Sequence, residues 1–144
     1  MSCELCDGEG GTLVARVGGW RVVRVADADF PVFYRVICER HVAEFSDLAS
    51  AERTHCMDLV VVVEATVRRL LAPTKVNLAS LGNVVPHLHW HVIARLDWDS
   101  HFPQPIWGAR QRAVEPTPEQ RLALPLQAGD AAVADALQER KSAS

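Results

Sequence analysis

Two short strand-like runs, Thr12 to Val17 and Trp20 to Val25, flank the dipeptide Gly18-Gly19. Glycine accepts positive φ at no steric cost, so two of them between strand-like runs read as a hairpin turn. A third run follows from Val32 to Cys38, with Val32, Tyr34, Val36 and Cys38 alternating with Phe33, Arg35 and Ile37. Residues Ser50 to Leu71 conflict locally, because Val60-Val61-Val62-Val63 favours a strand on propensity alone. Yet Cys56, Val60, Val63, Val67 and Leu70 recur at three-to-four spacing, with Glu52, Arg53, Glu64 and Arg68 between them. That spacing predicts a helix, with Ser50 and Pro73 marking its ends. Lys75 to Leu81 and His87 to Arg95 read as two more strands, joined by a turn at Gly82-Asn83. Five strands, one long helix and a helical tail predict an α+β domain with a mainly antiparallel five-stranded sheet.

Composition shifts once. From Ala113 onward Pro116, Pro118 and Pro125 occur among many alanines, and Ala128 to Arg140 carries Ala132, Val133, Ala136 and Leu137 at helical spacing. Residues 1–112 are therefore read as the folded domain. Residues 113–144 are read as an extension, a short helix or partly flexible, packed on the domain or on a second subunit. The chain has 144 residues, 49% apolar and 23% charged, which is ordinary for one globular domain. Its 15 basic and 18 acidic side chains leave a net charge of −3 and so argue against a nucleic-acid backbone binder. The longest apolar run, Leu59 to Val63, has five residues, far short of the ~20 that a membrane helix needs. Met1-Ser2-Cys3-Glu4 lacks the basic start and apolar core of a signal peptide. A cytoplasmic location is expected, and there four cysteines serve metal binding or packing before disulfides.

The chemistry concentrates in Pro86-His87-Leu88-His89-Trp90-His91-Val92-Ile93-Ala94-Arg95. Alternate side chains of a strand share a face, so His87, His89 and His91 line one side and Leu88, Trp90 and Val92 the other. Half of the chain's six histidines fall on that one face. Histidines at i and i+2 on a strand can share a metal. A neutral imidazole can equally attack phosphorus while a neighbouring histidine stabilises phosphate oxygens. Spacing alone leaves both open.

The segment His87-Leu88-His89-Trp90-His91-Val92-Ile93 resembles the histidine triad (HIT) motif, His-φ-His-φ-His-φ-φ, at all seven positions. Val36-Ile37-Cys38-Glu39-Arg40-His41-Val42 resembles the family's strand that ends in a basic residue and a histidine before the long helix. The resemblance spans roughly residues 3–108, and Phe102 to Gly108 is similar to a feature of one bacterial branch. It implies a HIT-like fold, and a hydrolase or transferase that cleaves a P–N or P–O–P bond through a nucleotidyl-histidine intermediate. Its substrates would be purine nucleotide conjugates, either dinucleoside polyphosphates or nucleoside phosphoramidates. Carried over by position, His89 is the nucleophile and His91 contacts phosphate oxygens. Asn77 and Asn83 match substrate-side positions, Asn83 standing near the family's glutamine and Val84 where many members have serine. A homodimer is expected on the same ground, and no magnesium-holding acidic cluster is evident.

Cys3-Glu4-Leu5-Cys6 has the spacing of a zinc knuckle, but two ligands make only half a tetrahedral site. Several HIT branches complete such a pair with the histidine before the long helix and the first motif histidine, which here are His41 and His87. A closed Cys3, Cys6, His41, His87 set would be structural rather than catalytic.

The other candidates read as ordinary structure. Cys38 and Cys56 are expected in the core, His55 on a helix surface, His101 in a solvated loop, and Asp97 and Asp99 as solvated strand-end acids. Trp20, Trp90, Trp98 and Trp107 are expected in the core or at an interface, Trp90 facing away from the histidines. Two rivals stay open: a metalloenzyme whose His87, His89 and His91 share a catalytic metal, and a nucleotide-binding module without turnover.

Overall fold

The computed structural model describes residues 2–143, and side chains through residue 140. Strands β1 (Thr12–Val17), β2 (Trp20–Arg24), β3 (Phe33–Cys38), β4 (Lys75–Ala79) and β5 (His89–Arg95) form one sheet in the order β1-β2-β3-β5-β4. Every neighbouring pair is antiparallel. The β1–β2 turn follows from its glycines: Gly18 (φ 47°) and Gly19 (φ 86°) both take positive φ, bringing Val17 opposite Trp20.

Among the described residues three α-helices complete the fold: α1 (Glu4–Asp7), α2 (Ser50–Leu71) and α3 (Leu126–Ala143). The valine run of α2 is split by helical geometry, with Val60 and Val63 buried in its stripe and Val61 58% exposed. Packing thus overrides β propensity. Ser50 opens the helix but does not cap it. The orphan amide of Ala49 is instead satisfied by the Glu52 carboxylate at 2.8 Å. At the other end Ala72 turns left-handed (φ 42°), its amide bonds to the Arg68 carbonyl, and Pro73 prevents continuation.

The sheet has two unlike faces. Trp20, Val22, Tyr34, Val36, Cys38, Val92 and Ala94 point to the helices and join the main core with the α2 stripe. The strand register sets Arg21, Val23, Arg35, Ile37, His89, His91 and Ile93 together on the opposite face. That face carries two small apolar clusters, Leu5-Val23-Ile37 and Phe30-Phe33-Ile93, with the histidines between them.

Strand β5 begins at His89, two residues later than the pattern predicts. His87 and Leu88 lie in the approach, where Leu88 exchanges backbone hydrogen bonds with Val42 and Cys38. His87 is therefore not a ladder residue, and its ring is free to leave the common face.

The C-terminal helix α3 packs on α2 and β1, and its Val133 and Leu137 are fully buried in the main core. Asp130 accepts from Tyr34 Oη at 2.9 Å and pairs with Arg24 at 3.0 Å, while Arg140 pairs with Asp58 of α2. Burial and the Asp130 charge push the Tyr34 phenol pKa up, so it stays a donor. Replacing Leu137 with Ala removes a fully buried side chain and is expected to cost roughly 2–5 kcal/mol. Urea unfolding checks this; an unchanged midpoint would show that α3 lies outside the cooperative unit.

Candidate active site and metal centre

The N-terminal segment is clamped to the sheet by one buried guanidinium. Arg21 donates to the carbonyls of Leu5 (2.5 Å), Gly8 (3.0 Å) and Glu9 (2.9 Å), and to the Glu39 carboxylate (2.9 Å). This places Cys3 and Cys6 over the His87 ring. Cys3 Sγ and Cys6 Sγ lie 3.3 and 3.5 Å from His87 Nδ1, Cys6 Sγ lies 3.4 Å from His41 Nδ1, and the two Nδ1 atoms lie 3.1 Å apart. All four donor atoms fall within 4.8 Å of one another. A tetrahedral Cys₂His₂ zinc site has donor atoms roughly 3.3–3.8 Å apart, so this set has the size and chemistry to hold such an ion. The outer contact fits as well. His87 Nε2–H donates to the Cys38 carbonyl at 2.6 Å, which leaves the Nδ1 lone pair facing the cluster.

His89 and His91 stay out of this cluster and on the sheet face. His89 Nδ1–H donates to the His87 carbonyl at 2.6 Å, so the Nε2 lone pair is the one left for the cleft. Burial lowers the His89 pKa, with His87 and Arg35 adding repulsion. His91 stands edge-on to the His89 and Phe33 rings, and burial, with charge repulsion from His89 and Arg35, lowers its pKa to about 4. Both imidazoles are neutral at pH 7.

These rings form part of a cleft of about 640 Å³. One end is apolar, built from Val25, Phe30, Phe33, Ile106 and Trp107; the rim is the 81–85 loop, with Asn83 in it. Asp27 also lines the cleft, its Oδ1 held by the amides of Asp29 and Phe30 at 3.0 and 3.2 Å. Asn77 lies outside the lining, and its Oδ1 accepts from Arg95 Nη1 at 2.8 Å.

One expectation is corrected here. Asp99 is not a solvated acid; it is 3% exposed, pairs through both oxygens with the buried Arg95 at 2.7 and 3.0 Å, and accepts amides of His101 and Phe102. Those bonds hold its carboxyl below the usual range against the opposing pull of burial. Of the tryptophans expected in the core or at an interface, Trp107 lies outside the core of this chain, 55% exposed, with its ring 5.7 Å from that of His91. Trp90 does face the helices, against Phe45, and Cys56 is a core thiol whose pKa burial pushes up to about 12.

The HIT domain model matches residues 12–97, more than half of the sequence. The chain belongs to the HIT domain family. Its fold is similar to that of a histidine triad protein from Bradyrhizobium japonicum, at 25% identity and a TM-score of 0.68, covering 91% of this chain and 90% of that one. A histidine triad protein from Marinobacter aquaeolei aligns over 96% of each chain with a TM-score of 0.73 and 23% identity. A zinc-bound histidine triad family protein from Mycobacterium smegmatis aligns over 100% of this chain and 99% of its own, with a TM-score of 0.64 and 15% identity. No curated protein matches the sequence. No helix among the described residues of this HIT domain is long and apolar enough to cross a membrane.

Sequence reasoning missed three cleft features of the HIT domain: Asp27, the Ile106-Trp107 wall and the peptide carbonyl that orients His89. The first two sit in loops with no period to betray them, and a carbonyl carries no sequence signal. His91 also makes stability depend on pH. Unfolded, it titrates near its ordinary 6.5; folded, near 4. Between those values the unfolded chain binds the extra proton, so stability is complete above about pH 6.5 and is lost as pH falls toward 4. The loss is expected to reach up to roughly 3 kcal/mol. Comparing urea midpoints across this window with those of His91→Gln checks it; identical slopes would refute it.

Proposed function

We propose that this HIT domain is a nucleotide hydrolase or transferase that works through His89. The observation that supports this reading is the bond from His89 Nδ1–H to the His87 carbonyl, which fixes the tautomer with Nε2 basic toward the cleft. In the proposed step the Nε2 lone pair attacks the phosphorus of a nucleoside monophosphoryl group. A P–N bond forms, and the bond from phosphorus to the leaving group breaks, the leaving group keeping the electron pair. Water then attacks the same phosphorus and releases the nucleoside monophosphate, the P–Nε2 bond breaking with its electron pair returning to the imidazole. The proton freed from water balances the one the leaving group takes from solvent. The proton stays on Nδ1, hydrogen-bonded to the His87 carbonyl throughout, so charge gained by the ring is met by a fixed dipole.

The apolar end of the cleft suits a base, with Phe33 and Trp107 as faces for stacking. Asp27, steadied by its two amide bonds, suits a sugar hydroxyl, and the Asn83 amide at the rim suits a phosphate oxygen. His91 is assigned the phosphate-side role beside His89. Asn77 supports the cleft at one remove, by holding Arg95. Dinucleoside polyphosphates and nucleoside phosphoramidates are the substrate groups this reading covers. Cytoplasmic location and homodimeric assembly belong to the same reading.

Cys3, Cys6, His41 and His87 would hold zinc. Four protein ligands leave no open position, so the ion would supply rigidity rather than reaction chemistry. In that arrangement His87 is a ligand of the cluster, and a metal shared among His87, His89 and His91 is disfavoured.

Two measurements test the reading. Metal analysis of purified protein is expected to give about one zinc per chain, retained in His89→Ala and lost in His87→Ala. Zinc lost from His89→Ala would favour a catalytic metal instead. Nucleoside monophosphate release from adenosine and guanosine phosphoramidates and dinucleoside polyphosphates is expected from the wild type and to fall at least ~10³-fold in His89→Ala. Nucleotide binding without release from any of these would make the protein a binding module.

A further inference from the structure

One charged group in the cleft has no role in the reaction described. Arg35 lies on β3 directly opposite His91 on β5, and its other neighbours on that face are Val23, Phe33 and Ile37. An aliphatic side chain would suit such surroundings. Arg35 instead brings a guanidinium to the cleft lining. A guanidinium carries five N–H donors, and among the described residues one is used, Nη1 to the Gly10 carbonyl at 3.2 Å. Its Nε is buried without a partner, and so is Nδ1 of His91 across the strand pair.

Arg35 is half-buried, and the two buried arginines, Arg21 and Arg95, show what satisfaction looks like on this sheet. Arg21 makes four hydrogen bonds to carbonyls and a carboxylate, and Arg95 makes two to Asp99 and one each to Asn77 and Gln104. Arg35 has no carboxylate within 4.0 Å among the described residues; Glu4 at the cleft wall is exposed and forms no ion pair with it. A partly desolvated cation with no paired carboxylate, which feels only the charge of the exposed Glu4, is costly unless an anion arrives to meet it. Planar guanidinium donors fit two oxygens of a phosphoryl group at once. Burial also pulls the Arg35 pKa down, yet an arginine stays charged at neutral pH.

We propose that Arg35 is a phosphate-binding residue of the cleft, taking phosphoryl oxygens of the substrate next to His91. The proposal rests on reading the cleft as a nucleotide site, and it makes the cleft selective for the phosphorylated form over the bare nucleoside. Arg35 would supply a fixed positive charge beside the phosphoryl group. The apolar end then holds the base while Arg35 holds the phosphate, which sets the direction in which a nucleotide lies.

The test is calorimetric titration of the full chain, wild type and Arg35→Met, with AMP, GMP, adenosine and guanosine, alongside melting temperature without ligand. Methionine keeps the length of the aliphatic stem and removes the charge. Arg35→Met is expected to weaken nucleoside monophosphate binding by about 10- to 100-fold and nucleoside binding by less than about twofold. Its unliganded melting temperature should be no lower than that of the wild type, because a partly desolvated charge with no ion-pair partner has gone. Arg35→Lys should fall between the two, restoring the charge without the planar fork. Unchanged monophosphate binding in Arg35→Met would overturn the proposal. So would a parallel loss of nucleoside binding and melting temperature, which would make Arg35 an anchor for the Gly10 loop. A wild type that binds monophosphates through Arg35 but releases none from any substrate would refute the hydrolase and uphold this site. Turnover that is unimpaired in Arg35→Met would refute this site alone.

Discussion

The arrangement depends on His87, a single residue held from three directions. Its Nε2 is bonded to the Cys38 carbonyl at the end of β3, its Nδ1 sits among Cys3, Cys6 and His41, and its own carbonyl receives the His89 Nδ1 proton. The N-terminal clip, the sheet and the orientation of His89 are thus one mechanical unit. This works because β5 starts at His89. A residue in the ladder must alternate faces with its neighbours; a residue just before it can aim its ring into the cluster and its peptide at the next histidine. Two neighbouring sites of different chemistry can then share three alternate histidines.

Charge on the site face is distributed with a similar division of tasks. Arg21 ties the first residues of the chain to the sheet through backbone carbonyls, and Arg95 ties β5 to the following loop through Asp99. In both cases a buried cation makes four hydrogen bonds, and removing its carboxylate partner would leave a charge stranded in a low-dielectric setting. His89 and His91 add no charge of their own, because burial keeps them neutral. The face has rigid ends and a floor of neutral imidazoles, which keeps the cleft open to an anion.

Much of this was legible in the chain. The bounds of α2 follow from a stripe that three-to-four spacing makes visible even through a valine run, and the Gly18-Gly19 turn follows from φ alone. The histidine pattern pointed to the strand that lines the candidate cleft, and the four candidate metal ligands came from the HIT resemblance; the structure brings those four together. What stayed hidden was set by tertiary contacts. Asp99 looked like a surface acid because its partner, Arg95, becomes buried only once the loop folds back. The place of Trp107 in the cleft wall, beside His91, was hidden because its loop carries no period. The end of β4 at Ala79 and the late start of β5 reflect the bend that serves His87, which no local period encodes.

The burial of Val133 and Leu137 in the same core as β1 and α2 has a consequence for how the chain is made. A ribosome delivers the clip cysteines first, the histidine strand much later and the α3 stripe later still. The apolar face of α2 stays uncovered while the 54 residues between α2 and α3 emerge, at roughly 5–20 residues per second. For those seconds the nascent chain carries every candidate site residue on an incomplete scaffold. Closure by α3, the last helix along the chain, therefore sets the moment at which the core behind the histidine sheet is complete.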